Sequence, residues 1–256
     1  MKKLNFLVIA LFLGITFQMN AQTAEEVVAS YFENTGGVDN WKKLTGVKMY
    51  AEVNQGMIIP IEITQLKGGK QMTVINFQGK EIKQGVFDGE TLWSHNFMTQ
   101  KAEKSDKENT DNAKLAINDF PDPFLNYKTS GYTVELMGSE TIDGADTFKI
   151  KLVKKPLTVD GKLEDNITFY YFDKENFVPI AVHNEIKSGP MKGQMSEIKM
   201  SDYQEIEGLF FPFSMSQGLK GQAGQAISIK KIELNPKVDE KAFLFPEETP
   251  ATPSGN

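Results

Sequence analysis

The sequence has no cysteine and no arginine, and it has only two histidines. Without cysteine there can be no disulfide, no thiol nucleophile and no lipid attached through a cysteine, so the fold depends on its core alone. Without arginine, phosphate or carboxylate cannot be held by a planar two-pronged donor. His95 and His183 lie far apart outside any metal-binding motif, and we predict that both are strand-face residues.

Catalytic motifs are also missing from the chain. No GxSxG turn presents a serine, and Asp106, Glu108 and Asp111 lack the glycine and final glutamate of a calcium-binding loop. We predict that these carboxylates lie in a solvated loop over residues 101–112. The sequence therefore predicts a protein that is not an enzyme, with no cofactor and no metal site.

The first residues have the order of a secretory signal peptide. Lys2 and Lys3 precede an apolar run over residues 4–17, and small or polar residues follow up to Ala21. The run is shorter than the ~20 apolar residues of a membrane span, so an integral membrane protein is not expected. We predict a signal peptide over residues 1–21 and export, with the periplasm as the location. The formal net charge of −6 argues against a nucleic-acid partner.

One helix is predicted at the start of the mature chain. Thr23 can cap a helix whose apolar residues recur at helical spacing, and Gly36 and Gly37 end it. From Val47 onward, apolar and polar residues alternate as they do in strands. Short turns such as Asp88-Gly89 indicate antiparallel neighbours.

About eleven strands follow, and so many successive strands must curl to protect their edges. We predict a mainly β fold, a strongly curved incomplete antiparallel β-barrel of about 11 strands with helices covering the concave face. Residues 22–246 are predicted to form a single domain, and residues 247–256 a disordered tail. The apolar alternation changes phase at Lys230-Lys231, which predicts a bulge in the last strand.

The strands carry much adaptable apolar surface. Methionine suits sites that accept varied apolar shapes, and six strand-face methionines are Met49, Met57, Met72, Met195, Met200 and Met215. The strand over residues 167–172 is apolar or aromatic on both faces, so both faces must be covered. The cover is either core on one side and helix on the other, or a ligand cavity between sheet and helices.

Several segments together resemble a known family. They are VVASYFENTGGVDNWKKL, VFDGETLW, ETIDGADTFKIKL, ITFYYFDKENFVPI, DYQEIEGLFFPFSM and IELNPKVDEKAFLFP. Their order and spacing over nearly the whole mature chain resemble a divergent group of the outer-membrane lipoprotein-sorting proteins, the LolA-like superfamily. The resemblance implies an incomplete β-barrel covered by helices, with an apolar interior that receives the acyl chains of lipoproteins.

The sequence departs from that family in one respect. The family's carriers place an arginine near the start of the sheet that helps to govern opening and lipid release, and this chain has none. Lys48 lies near that region but lacks the planar guanidinium, so the role is not assigned to it. The resemblance therefore supports the fold and an apolar cavity more strongly than it supports lipoprotein transfer.

From these features we predict a periplasmic protein that binds or carries a hydrophobic ligand. The expected partner is a hydrophobic small molecule, a lipid or a lipidated protein, held under a proline-containing lid over residues 115–125. The predicted lining of the acyl-chain cavity is Met49, Met57, Ile59, Ile61, Met72, Trp93, Phe148, Ile150, Phe169 and Tyr171. The alternative is a non-catalytic scaffold of the same fold that docks other envelope proteins.

Overall fold

A computed structural model describes residues 22–246 of the chain. The predicted signal peptide, residues 1–21, and the predicted disordered tail, residues 247–256, lie outside the described residues. The assignment of residues 22–246 to a single domain stays a prediction.

The described chain contains three α-helices, a 3-10 helix and thirteen strands. The helices are α1 Ala24–Asn34, α2 Val38–Lys42, α3 Lys107–Leu115 and the 3-10 helix Glu240–Phe243. The strands are β1 Gly46–Asn54, β2 Ile58–Leu66, β3 Gln71–Phe77, β4 Lys80–Phe87, β5 Leu92–His95, β6 Ala102–Lys104, β7 Thr133–Ile142, β8 Ala145–Val159, β9 Lys162–Asp173, β10 Pro179–Glu185, β11 Met195–Ile206, β12 Leu209–Leu219 and β13 Gln225–Leu234. Within this part of the chain, each helix is too short or too polar to cross a membrane.

The described strands belong to one curved antiparallel sheet, as the sequence predicted, and they number thirteen where about eleven were expected. Its order is β6-β5-β4-β3-β2-β1-β13-β12-β11-β10-β9-β8-β7. Strands that follow one another in the chain pair with each other, except that β6 does not pair with β7, and β1 pairs with β13 at the centre. The sheet therefore stays open between its edge strands, β6 and β7.

The predicted bulge in the last strand is confirmed. Tyr50 of β1 pairs with Lys231 of β13, whereas the next residue, Ala51, pairs with Ile229. Lys230 is therefore the extra residue, and the bulge restores Ile229 and Ile232 to one buried face.

The prediction of a solvated loop over residues 101–112 is wrong, because this stretch forms β6 and most of α3. Asp106 caps α3 by accepting a hydrogen bond from the Asn109 backbone N–H at 2.7 Å. Glu108 accepts two backbone N–H bonds, both at 2.9 Å, from the β8–β9 turn. The stretch is polar because α3 has no buried residue, so its helix depends on caps and side-chain contacts that apolar periodicity does not reveal.

α1 begins and ends where the sequence predicted. The Thr23 side chain accepts a bond from the Glu26 N–H at 3.2 Å, and the Glu26 carboxylate accepts one from the Thr23 N–H at 2.8 Å. This reciprocal pair satisfies backbone donors that a helix N-terminus leaves free. The helix is followed by Gly36 and Gly37, with φ values of 111° and 86°.

The two faces of the sheet are covered differently. The inner face packs against α1 and α2 and forms the main core, in which Val27 and Trp41 meet sheet residues such as Ile61, Ile150 and Phe172. The outer face carries a second, smaller core beneath the chain's last described residues. Its buried members are Met72, Val74, Val86, Trp93 and Phe243.

We expect Gly36→Ala to destabilise the fold more than Gly37→Ala. Both glycines have positive φ, which costs an alanine about 1 kcal/mol. A Cβ on Gly36 would also lie 2.0 Å from the Gly208 carbonyl oxygen, whereas one on Gly37 would meet nothing within 4 Å. Urea unfolding should give a further loss of at least about 1 kcal/mol for Gly36→Ala. Equal losses for the two variants would contradict this steric argument.

Candidate functional site

A cavity of about 190 Å³ lies between the inner face of the sheet, the N-terminal helices and the segment that follows α3. We call residues 116–125 the proline segment, because Pro121 and Pro123 form part of the cavity wall. The helices contribute Tyr31 and Trp41. The lining residues from the strands and their ends include Val47, Met49, Gln65, Tyr170, Pro179, Val182, Met200, Tyr203, Phe210, Phe211 and Pro212.

Trp41 is fixed by hydrogen bonds as well as by packing. Its Nε1–H lies 3.2 Å from the Thr35 carbonyl oxygen and 3.1 Å from the Thr35 hydroxyl oxygen. That hydroxyl donates in turn to the Tyr31 carbonyl oxygen at 2.7 Å. The Trp41 ring packs against Phe211, with 5.3 Å between ring centroids. One wall of the cavity is therefore rigid, because these polar atoms are all satisfied.

The proline segment is held on the sheet by Phe124, which is buried. The Phe124 ring lies edge-on to Tyr170 at 4.7 Å and to Phe172 at 5.6 Å, both from β9. Such edge-to-face pairs add about 0.5–1.5 kcal/mol to the burial of apolar area. Phe124 therefore packs the proline segment against β9.

Asp122 places a carboxyl group in the cavity wall. It accepts hydrogen bonds from the Tyr31 hydroxyl at 3.0 Å and from the Phe124 backbone N–H at 2.8 Å. Burial and, to a smaller extent, the nearby charge of Asp119 raise the pKa of Asp122, while the two hydrogen bonds lower it, and the resulting pKa is about 6. The carboxyl group therefore changes its charge close to neutral pH.

The field of Asp122 also acts on the tyrosines around it. Burial raises the pKa values of the Tyr31, Tyr170 and Tyr203 hydroxyls, and the Asp122 charge raises each of them further. These phenols stay protonated at neutral pH. Tyr31 donates to Asp122, and Tyr203 donates to the Pro179 carbonyl oxygen at 2.6 Å.

Two further depressions adjoin the cavity. A pocket of about 300 Å³ shares Gln65, Phe120, Pro121 and Pro123 with it, on the side towards α3. An open groove of about 700 Å³ shares Met200, Tyr203 and Phe210 with it. The proline segment therefore lies between the cavity and the first pocket, and β11 and β12 lie between the cavity and the groove.

The predicted lining residues do not all lie together. Five of them are on the inner face: Met49, Ile59, Ile61, Phe148 and Ile150. Of these only Met49 lines the cavity. Ile61 and Ile150 are buried core residues, and Ile59 and Phe148 pack against the same core.

The structure places the other five elsewhere. Met57 is 50% exposed at the β1–β2 turn, and Met72 and Trp93 belong to the second core on the outer face. Phe169 and Tyr171 also lie on the outer face, because Tyr171 pairs with Lys149 whereas the inner-face Ile150 pairs with Tyr170. A strand that is apolar on both faces gives no sign of which face is inside, and one step along it reverses the choice.

The residue patterns do not identify the residues that give the cavity its polar character. Asp122 lies unmarked within the proline segment, and Tyr203 appears only as a strand residue. The pattern places Tyr31 and Trp41 in helices and does not connect them with a site. The sequence does offer one signal, which is a carboxylate between two prolines in an otherwise apolar segment. It does not show which polar groups that carboxylate contacts.

A second polar group lies on the outer face. His183 is 1% exposed, with Nδ1 3.0 Å from the Tyr171 hydroxyl and Nε2 2.8 Å from a Glu197 carboxylate oxygen. Burial lowers the pKa of His183, against the opposing effect of Glu197. Both histidines occupy strands, as predicted. Within residues 22–246, no group of three or more acidic or histidine side chains is arranged to hold a metal ion.

We expect the stability of the fold to depend on pH through Asp122. Its folded-state pKa of about 6 lies above the usual 3.8, so the folded state binds the proton more tightly and the free energy of unfolding falls as pH rises through this window. Asp122→Asn keeps an acceptor oxygen without the charge. At about pH 7.5 it should raise the free energy of unfolding by about 1–3 kcal/mol, and at about pH 4 the gain should vanish.

Urea unfolding across this pH range checks the expectation. Asp165→Asn, which alters an exposed carboxylate of β9, serves as the control and should show no such pH-dependent gain. A gain for Asp122→Asn that is the same at both pH values would show that Asp122 does not titrate in this window.

Comparison with known proteins supports the fold. No protein-family model and no curated protein matches the sequence. Among solved structures, a LolA superfamily protein from Nitrosomonas europaea is 14% identical with a TM-score of 0.52, over 88% of this chain and 98% of the other. An outer membrane lipoprotein-sorting protein domain from Vibrio parahaemolyticus is 10% identical with a TM-score of 0.51, over 85% of this chain and 94% of the other.

A third structure, a DUF1329 family protein from Desulfovibrio piger, is 12% identical with a TM-score of 0.53, over 88% of this chain and 98% of the other. At these identities the likeness is one of fold, and it extends over most of the chain in each case. The chain therefore has the LolA-like fold, in a form that is divergent in sequence.

Proposed function

We propose that this protein binds the apolar part of an amphiphile, such as a lipid or the acyl chain of a lipoprotein, in the cavity under the proline segment. The observation that carries the proposal is this cavity, lined by aromatic residues and by Met49 and Met200, between the sheet and the helices. Methionine and aromatic side chains fit varied apolar shapes. Each methylene group moved from water into such a site contributes about 0.8 kcal/mol.

Binding of a longer chain requires the proline segment to move. The cavity of about 190 Å³ holds only a short apolar group, and the pocket of about 300 Å³ lies across the segment from it. Displacement of Phe120, Pro121 and Pro123, which line both spaces, would join them. Release of Phe124 from Tyr170 and Phe172 would let the segment act as the predicted lid.

The LolA-like fold supports a carrier role, since the Vibrio relative is described as a lipoprotein-sorting domain. Export to the periplasm follows from the predicted signal peptide and matches such a role. The proposed activity is binding and release without chemical conversion of the ligand. The absence of arginine from the sequence means that opening cannot use the arginine of the family's carriers.

A second candidate function is a scaffold for other envelope proteins. It is favoured by the dense packing of the inner face, where Ile61, Ile150 and Leu152 are buried within the core and leave little free volume. Such a protein would use its sheet surface and would not need the proline segment to move.

Titration with an uncharged fluorescent fatty-acyl ester distinguishes the two functions, with Met49→Trp and Met57→Trp as a matched pair. Met49 lines the cavity, and Met57 is half exposed at a turn. The larger ring at position 49 fills the cavity, so we expect probe affinity to fall at least about tenfold, a loss of ~1.4 kcal/mol. The same change at position 57 should leave affinity within about twofold.

Thermal unfolding of both variants controls for loss of structure. If the parent shows no saturable binding, or if folded Met49→Trp binds the probe as tightly as the parent, the cavity is not the binding site. The scaffold function would then be preferred, and co-purification with one envelope protein would support it.

A further inference from the structure

The charge of the cavity comes from one of its described side chains. Asp122 is the only charged side chain among the described residues that line it, and none of those residues is basic. The carboxyl group lies in the cavity wall, beside Tyr31 and Phe124. A fatty acid entering this space would place its carboxylate against a second carboxylate, which is unfavourable in a site of low dielectric.

We propose that the cavity selects amphiphiles with an ammonium head group, which binds beside the Asp122 carboxylate among the surrounding aromatic rings. This inference rests on the proposed function and names the class of ligand that the same site accepts. The carboxylate supplies the opposite charge, and the apolar lining holds the chain.

The aromatic lining fits such a head group. Tyr31, Trp41, Tyr170 and Tyr203 come from four different elements and surround the space next to Asp122. The faces of tyrosine and tryptophan rings attract cations, and they bind alkylated ammonium groups that cannot donate several hydrogen bonds. Each such contact contributes more where water is excluded.

Asp122 retains the capacity to bind a cation. Each of its oxygens accepts one hydrogen bond, from Tyr31 or from Phe124, and a carboxylate oxygen has two acceptor positions. The other ionisable groups that act on it are Tyr31 of α1, Tyr170 of β9, Tyr203 of β11 and Asp119. The Asp119 carboxylate forms an ion pair with Lys154 of β8 at 2.7 Å. Of these two carboxylates, Asp122 is therefore the one without a cationic partner among the described residues.

The groove beside the cavity has the same sign of charge. Asp173, Glu175 and Asp202 line it, and among its described lining residues none is basic. It meets the cavity at Met200, Tyr203 and Phe210. These carboxylates have the same sign of charge as Asp122, so the potential on this side of the cavity favours a cation over an anion.

Calorimetric titration with three ligands of equal chain length tests the inference: octyltrimethylammonium, octanoate and octanol. At about pH 7.5 the ammonium ligand should bind the parent at least about tenfold more tightly than octanoate. Asp122→Asn should reduce ammonium affinity about tenfold and leave octanol within about twofold. Asp39→Asn removes the same charge from an exposed position of α2 and should change neither.

The same titrations at about pH 5 supply a second readout. Asp122 takes up a proton below about pH 6, so the affinity for the ammonium ligand, compared with octanol, should fall in the parent and should not change with pH in Asp122→Asn. If octanoate binds the parent as tightly as the ammonium ligand, or if Asp122→Asn keeps the preference, this inference is overturned while the proposed function stands. If none of the three ligands binds, both are overturned.

Discussion

The packing of α1 and α2 on the inner face of the sheet is the interaction on which the rest of the structure depends. An open sheet without disulfides can bury that face only beneath other elements of the same chain. The capping pair of Thr23 and Glu26 starts α1, and the close approach of Gly36 to Gly208 directs the chain back towards the sheet. Trp41 then reaches Phe211 and closes the core. α1 and α2 do not cover the whole inner face. The cavity lies beside them, and the proline segment forms another part of its wall.

The proline segment contains one contact that stabilises its position and one group that destabilises it. Phe124 binds it to β9 by aromatic contacts, whereas Asp122 carries into the same region a charge that burial disfavours. Apolar contacts hold the segment, and a buried ionisable group destabilises it. We therefore expect that moving the segment away from the sheet costs little free energy. Proteins commonly retain such local instability where a site must change shape.

The outer face shows that apolar residues on both sides of a strand need no ligand to explain them. Trp93 donates from Nε1 to the Phe243 carbonyl oxygen at 2.9 Å, and the chain's last described residues cover that part of the sheet. Further along, Tyr171 is buried beside His183 and Glu197. Both groups are satisfied within the protein, so they stabilise the outer face and leave the inner face as the one with free volume.

The sequence by itself determined the antiparallel sheet, the limits of α1 and the bulge at Lys230, because these depend on local patterns: alternation, capping residues and glycines with positive φ. The lack of cysteine and arginine, which rules out disulfides and guanidinium contacts, is likewise a property of the sequence alone. Only the tertiary structure decided which face of β9 is inside, that residues 101–112 form β6 and most of α3, and that Asp122 meets Tyr31 across 91 positions of the chain. Those outcomes depend on contacts between distant elements, and strand parity has no information about which side such elements will cover.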